Sequence, residues 1–418
     1  MRNRFARMMR RSLTGAFFIL IQLGRAENWP QWRGPNGDGI SSEKNVPVEW
    51  TSSKNVQWKA SLPGEGHSSA IVWNESVFVT TALKDSKERL LLRLDALSGK
   101  ILWQQVVLTA EVESMHRENS PASSTPVTDG KHIYTSFQNG PRVDIQCYDF
   151  EGKRVWTAQP LRFAGMHGYS YTPVLHKDLL IFDFSQNDEA AILGLDKNTG
   201  KIRWRVDRKQ QDISHVTPLL VNDSPATQLM VCGANEIRSL NPETGESLWW
   251  CQGPTDVCVA GLAYGENTVF ANGGYPKKTR MAVKTSGRGE VTTSHVLWTT
   301  GREVSYVPSP LYYQGHLYTV VDDGLLYCFD AKTGKPVWQH RLGGHFRSSL
   351  ILAEKNLYAT NDQGLTTVFS ATSENCQPVA ANDLNEFCYT TPAISRGRIF
   401  MRAGSNLYCI GNTAIGGH

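Results

Sequence analysis

The sequence predicts an all-β fold: a single eight-bladed β-propeller of four-stranded antiparallel blades, closed by pairing of its N- and C-terminal strands. Three features of the 418 residues carry that prediction. A glycine-cornered hairpin unit occurs five times, a hydroxyl-rich strand start occurs eight times, and seven tryptophans, at positions 58, 103, 156, 204, 249, 298 and 338, mark a steady interval.

The hairpin unit reads apolar, Asp, two residues, Thr or Ser, Gly, often Lys, then Trp. Its clear copies run Asp95 to Gly99 to Trp103, Asp196 to Gly200 to Trp204, and Asp330 to Gly334 to Trp338. Two altered copies are Asp149 to Gly152 to Trp156, which is shortened, and Asn241 to Gly245 to Trp249. Asp opens a tight turn with its side-chain acceptor, and Gly takes the positive φ that closes it. The Trp then falls on the returning strand, where a large flat ring can dock one sheet on the next.

The second element is a pair of small hydroxyl residues, often with Pro, leading into a short strand. It stands at Ser68-Ser69, Ser124-Thr125-Pro126, Tyr171-Thr172-Pro173, Val216-Thr217-Pro218, Ser309-Pro310, Ser348-Ser349 and Thr390-Thr391-Pro392, with a degenerate form at Ala260-Gly261. Two strands from this element and two from the hairpin make one four-stranded sheet. Sheets with two apolar faces bury both by packing radially, which leaves only short edges. Helices are not required anywhere. Blade five, from Ala282 to Trp298, and blade seven, from Val368 to about Val379, have lost the consensus turn. Trp58 lies on a strand with no hairpin before it, while Leu407-Tyr408-Cys409-Ile410 has no Trp strand after it. Together the two halves complete one blade and close the ring.

Residues 1–26 read as a signal peptide: five arginines precede the apolar run 16–21, which is too short to span a bilayer, and cleavage is expected after Ala26. A Trp/Gly/Pro-rich leader follows at 27–54, then the propeller at 55–412 and a tail at 413–418. Residues 1–26 hold six Arg and no acid, so their removal takes the net charge from +4 to about −2. That balance gives no support to nucleic acid or an anionic membrane as partner. Lys277-Lys278-Thr279-Arg280 reads as a solvated loop, and Asp322-Asp323-Gly324 and Asn361-Asp362-Gln363-Gly364 read as hairpin turns. The chain is expected to be exported, periplasmic or extracellular, with no transmembrane segment after cleavage, and monomeric. Of its eight cysteines none are adjacent. Cys147, Cys328 and Cys409 look like small core residues, while Cys251 with Cys258 and Cys376 with Cys388 are possible pairs.

The Asp-x-x-Thr-Gly-Lys-x-x-Trp unit and its spacing resemble the PQQ-like repeats of the quinoprotein alcohol dehydrogenase-like superfamily, over nearly the whole mature chain. That superfamily includes BamB-like assembly scaffolds as well as dehydrogenases. WD40 repeats would instead show Gly-His and Trp-Asp. The leader Trp29-Pro30-Gln31-Trp32-Arg33-Gly34-Pro35 is similar to that of planctomycete-type PQQ-repeat proteins and reads as a segment covering one propeller face. The resemblance implies that catalytic members hold a quinone with a vicinal cysteine disulfide, a calcium bound by Glu and Asn, and an Asp base. This chain lacks adjacent cysteines, and no calcium set can be matched in the sequence.

Ligands of propellers sit at the channel mouth, on loops entering the innermost strands. Those loops carry His67, then His116-Arg117-Glu118-Asn119, then His167 and Tyr169, then His215, Tyr306, His345 with Arg347, and Tyr389. No spacing of these histidines forces convergence on a metal, so they read as a polar rim rather than a metal site. No Gly-x-Ser-x-Gly elbow supports a hydrolase. The sequence thus favours a non-catalytic propeller that binds a protein or peptide partner, with no catalytic residue and no cofactor. The alternatives are a quinoprotein dehydrogenase using PQQ and calcium, or binding of a carbohydrate or other small polar ligand at the mouth.

Overall fold

The computed structural model describes residues 27–208, 213–223 and 226–412. The expected signal peptide and C-terminal tail lie outside the described residues. Eight antiparallel sheets follow one another along the chain, each of four strands, with an extra strand on two of them. Blade one is typical: Ile71–Trp73, Ser76–Leu83, Glu88–Asp95 and Ile101–Thr109, hydrogen-bonded in that order. Blade eight takes three strands from 393–411 and its outer strand, Val56–Ser61, from the start of the chain. Trp58 lies opposite Cys409 in that pairing, so the expected latch closes the ring.

The hairpin corner works as its residues dictate. Asp95 Oδ1 accepts from the Ser98 amide at 2.8 Å, and Gly99 turns the chain at φ 72°. The tryptophan of one blade then lies on the glycine of the next. The Trp58 indole donates to Ala96 O at 3.1 Å, Trp103 to Phe150 O at 2.9 Å, and Trp156 to Lys197 O at 2.9 Å. Trp204 reaches Pro242 O at 3.2 Å, Trp298 reaches Ala331 O at 3.0 Å, and Trp338 reaches Thr372 O at 3.0 Å. Trp249 departs from its expected role, since its indole bonds to Gln228 Oε1 of its own blade at 3.0 Å. Blade five, its neighbour, has no Asp-Gly corner to receive it. There the chain instead adds Gly289–Glu290 as a fifth strand on blade four and one helical turn, Thr292–His295. That turn corrects the helix-free expectation.

The hydroxyls at six of the strand starts have an equally definite task. The Ser69 amide donates to Thr125 Oγ1, Thr125 to Thr172 Oγ1, and Gly261 to Ser309 Oγ. Ser309 continues to Ser349 Oγ, Ser349 to Thr391 Oγ1, and Thr391 back to Ser69 Oγ. Six of the eight blade junctions around the channel are therefore stitched by an amide-to-hydroxyl bond. Gly261 of blade five has no hydroxyl to offer blade four.

The leader crosses the face opposite the loops that enter the innermost strands. Trp29 exchanges two backbone hydrogen bonds with Val72 of blade one, and Ile40–Ser41 pairs in parallel with blade seven. The buried Arg33 guanidinium donates to Pro310 O at 2.7 Å and to Leu262 O at 3.4 Å, joining blades five and six. Trp50 makes good a deficiency of blade seven. Ala380 occupies the register position that Trp338 holds in blade six. The Trp50 backbone amide donates to Asn382 Oδ1 at 2.8 Å, and its ring stacks 6.3 Å from Tyr358, where Trp338 lies 6.1 Å from the equivalent Tyr318.

Two further expectations need correction. Arg280 is not in a solvated loop: it is buried on a strand, with its guanidinium 3.5 Å from the Phe329 ring centroid, because the blade-five/blade-six seam offers it an aromatic face. All eight cysteines are free, and the buried neighbour of Cys258 is Cys232 rather than Cys251. No described helix is long and apolar enough to cross a membrane.

Candidate functional site at the channel mouth

Loops from the outer strand of one blade to the inner strand of the next converge on one end of the channel. They enclose a cavity of about 420 Å³. Nine of the twelve residues singled out from the sequence line it. They are His67, His116, Glu118 and Asn119 from the first two entry loops, His167 and His215 from the next two, and Tyr306, Arg347 and Tyr389 from the later blades. The remaining three do not. Tyr169 is buried in an aromatic cluster, 5.4 Å from Phe163 and 5.5 Å from Tyr171, because its side chain turns into the blade seam. Arg117 is exposed and lies outside the lining, and so does His345, whose backbone binds the Asp362 turn.

Arg347 organises the site electrostatically. Its Nε and a terminal nitrogen donate to the two oxygens of Glu118 at 3.0 and 3.2 Å, and Asp322 lies 3.6 Å away. Hydrogen bonding to Arg347, against the opposing effect of burial, holds the Glu118 carboxyl below its ordinary range. Asp322 also accepts the Tyr306 amide at 2.7 Å and the Val307 amide at 3.2 Å. Its role was hidden in the sequence, where Asp-Asp-Gly signals only a turn. An Asp at the end of a blade's second strand, on the mouth side, is the clue that a blade-by-blade alignment provides.

The histidines differ. Burial and the nearby Arg402 guanidinium push His67 down to about 4, and burial with the neighbouring His167 does the same to His215. Both imidazoles are therefore uncharged near neutral pH. His67 meets the edge of Tyr389 at 5.1 Å, and His215 Nδ1 lies 2.9 Å from Ser170 Oγ. His116 and His167 are more exposed, their rings 5.9 Å apart.

Below the cavity the channel narrows to a shaft of about 140 Å³, ringed by Ser69, Thr125, Thr172, Ser349 and Thr391. The leader indole of Trp32 forms its floor. A methyl group at Gly261 would stand 3.1 Å from that ring, so the one blade without a channel hydroxyl is the one that admits the plug. Nothing local in the sequence marks Trp32 as a channel residue.

These side chains are not arranged to ligate a calcium ion. Both oxygens of Glu118 bind Arg347, and Asn119 Oδ1 accepts from Ser120 N at 2.8 Å and Ser123 Oγ at 2.5 Å. Among the described residues no three of His, Cys, Asp and Glu are placed to share an ion.

The family described as outer membrane protein assembly factor BamB matches residues 40–146, 95–255 and 280–377. Among solved structures, BamB from Moraxella catarrhalis superposes with a TM-score of 0.60 at 13% identity, over 85% of this chain and 98% of that one. A europium-containing methanol dehydrogenase gives 0.66 at 11% identity, over 91% and 90%. A quinohemoprotein alcohol dehydrogenase, ADHIIG from Pseudomonas putida HK5, gives 0.60 at 12%, over 93% and 81%. At such identities the likeness reports the fold. No curated protein matches the chain.

Proposed function

We propose, from the premise that this chain belongs to the PQQ-repeat family of outer membrane protein assembly factor BamB, that it is an exported, non-catalytic propeller that holds a protein partner on the channel-mouth face. One observation carries this reading. Met166 and Tyr275, 70% and 62% exposed, are the two most exposed large apolar side chains among the described residues, and both stand on that face, as does Phe387 at 48%. Phe387 packs against Tyr389 at 4.2 Å, so the apolar rim is continuous with the cavity wall. Exposed Met and aromatic side chains around a concavity are what protein-binding surfaces present.

The test compares the wild-type mature chain with a Met166→Asp/Tyr275→Asp/Phe387→Asp variant as bait in extracts of the cells that make it. A protein retained by the wild type and lost by the equally folded variant supports the reading, and equal retention contradicts it. Titration with PQQ and calcium supplies the other arm. Saturable binding accompanied by dye reduction would replace the scaffold reading with an oxidoreductase.

A further inference from the structure

Five buried hydroxyls, those of Ser69, Thr125, Thr172, Ser349 and Thr391, ring the shaft below the cavity. Each accepts an amide hydrogen from the preceding blade, and none has an acceptor for its own proton among the described residues. A hydroxyl that already accepts has a donor left to offer. The shaft is therefore a collar of donors. Above it, the cavity supplies acceptors in the carboxylates of Glu118 and Asp322 and the ring nitrogen of His67, together with the phenol rings of Tyr306 and Tyr389. The Trp32 ring closes the bottom.

Charge decides what can fill this space. The one guanidinium in the cavity lining is already matched by two carboxylates, so an incoming anion would meet no unpaired cation and two negative groups. A cation would meet Arg347 above and the donor collar below. A neutral molecule that both donates and accepts, with an apolar flank for the rings, satisfies every surface. The cavity volume of about 420 Å³ lies within the range of roughly 300–1,000 Å³ typical of small-molecule sites.

We propose that the channel mouth and its hydroxyl-ringed shaft bind the end of a neutral saccharide. Its hydroxyl oxygens accept from the collar, its hydroxyl protons go to Glu118, Asp322 and the His67 ring nitrogen, and its C–H face lies on Tyr389. Phe387 borders this site through Tyr389, but Met166 and Tyr275 do not line it, and its occupation does not depend on the docking of a protein.

The experiment titrates the mature chain calorimetrically with D-glucose, N-acetyl-D-glucosamine and maltose, and with D-glucuronate and D-glucosamine as charged counterparts. At least one neutral sugar should saturate below about 10 mM, and the charged pair should bind at least about tenfold more weakly. Tyr389→Ala should weaken that sugar at least about tenfold, whereas Leu102→Asp, on the outer rim of blade one, should leave it unchanged. If Tyr389→Ala does not fold, Tyr389→Leu keeps an apolar side chain but removes the ring and should still weaken binding. Three results would overturn the proposal: no saturation by any neutral sugar, a charged counterpart binding as tightly, or a folded Tyr389→Ala protein that binds as before. A Met166→Asp/Tyr275→Asp variant, which alters the apolar rim but leaves Phe387 on Tyr389, should bind the sugar normally, so failure of one reading is distinguishable from failure of the other.

Discussion

Gly99 shows how tightly single residues are held. Its φ of 72° is left-handed, and a methyl group there would lie 2.6 Å from the Trp58 ring. Gly99→Ala therefore combines backbone strain with a clash against the strand that closes the ring, and a loss of about 2–4 kcal/mol in urea unfolding is expected. Loss of under about 0.5 kcal/mol would show that the indole can slide away. His67 and His215 give a second test at this scale. Their folded values near 4 lie below the ordinary 6.5, so the unfolded chain binds more protons between those limits. Stability should fall as pH drops from about 6.5 towards 4, and this contribution should level off below that. His67→Gln/His215→Gln should flatten the urea midpoint across that window, and an unchanged slope would contradict the assignment. Glu118, lowered by Arg347, acts below the ordinary carboxylate range and so at the acid end. Most mouth residues were legible because each precedes a repeated strand start. Tyr169 was misread because loop position does not say which way a side chain turns.

At the scale of elements, repetition made the fold legible. An Asp-Gly corner and a Ser/Thr strand start act through hydrogen bonds two to four residues away or at the same place in the next blade, so periodicity reveals them. What stayed hidden was supplied from far along the chain. Blade seven lacks its tryptophan, and Trp50 of the leader fills the place. Blade five lacks its corner, and Trp249 turns to Gln228, whose amide in turn reaches Thr285 O at 3.3 Å in the next blade. Arg280 looked like a surface charge because its aromatic partner, Phe329, is on another blade. Trp50→Ala should therefore cost about 3–5 kcal/mol, the range for a buried aromatic. Denaturation that leaves Trp50→Ala within about 1 kcal/mol of wild type would remove the leader from the account of stability.

For the whole molecule, closure by Val56–Ser61 supplies the outer strand that blade eight would otherwise lack. A chain starting after Ser61 would expose the full edge of Asn406–Gly411, and light scattering should show it self-associated while a chain starting at Glu27 is not. A dispersed truncated chain with an unchanged melting temperature would mean that closure contributes little. The ring also explains why function was less legible than fold. Residues such as Glu118 and Arg347, 229 positions apart, meet only because eight blades return the chain to its beginning. The most direct measurement of the functional claim is photo-crosslinking in the native cells, with a photoreactive side chain placed in turn at Met166, Tyr275 and Phe387 and, for comparison, at Leu102 and Val337 on the outer rim. Protein adducts at the first three positions and none at the last two are expected. Adducts on the outer rim alone would contradict docking at the channel mouth.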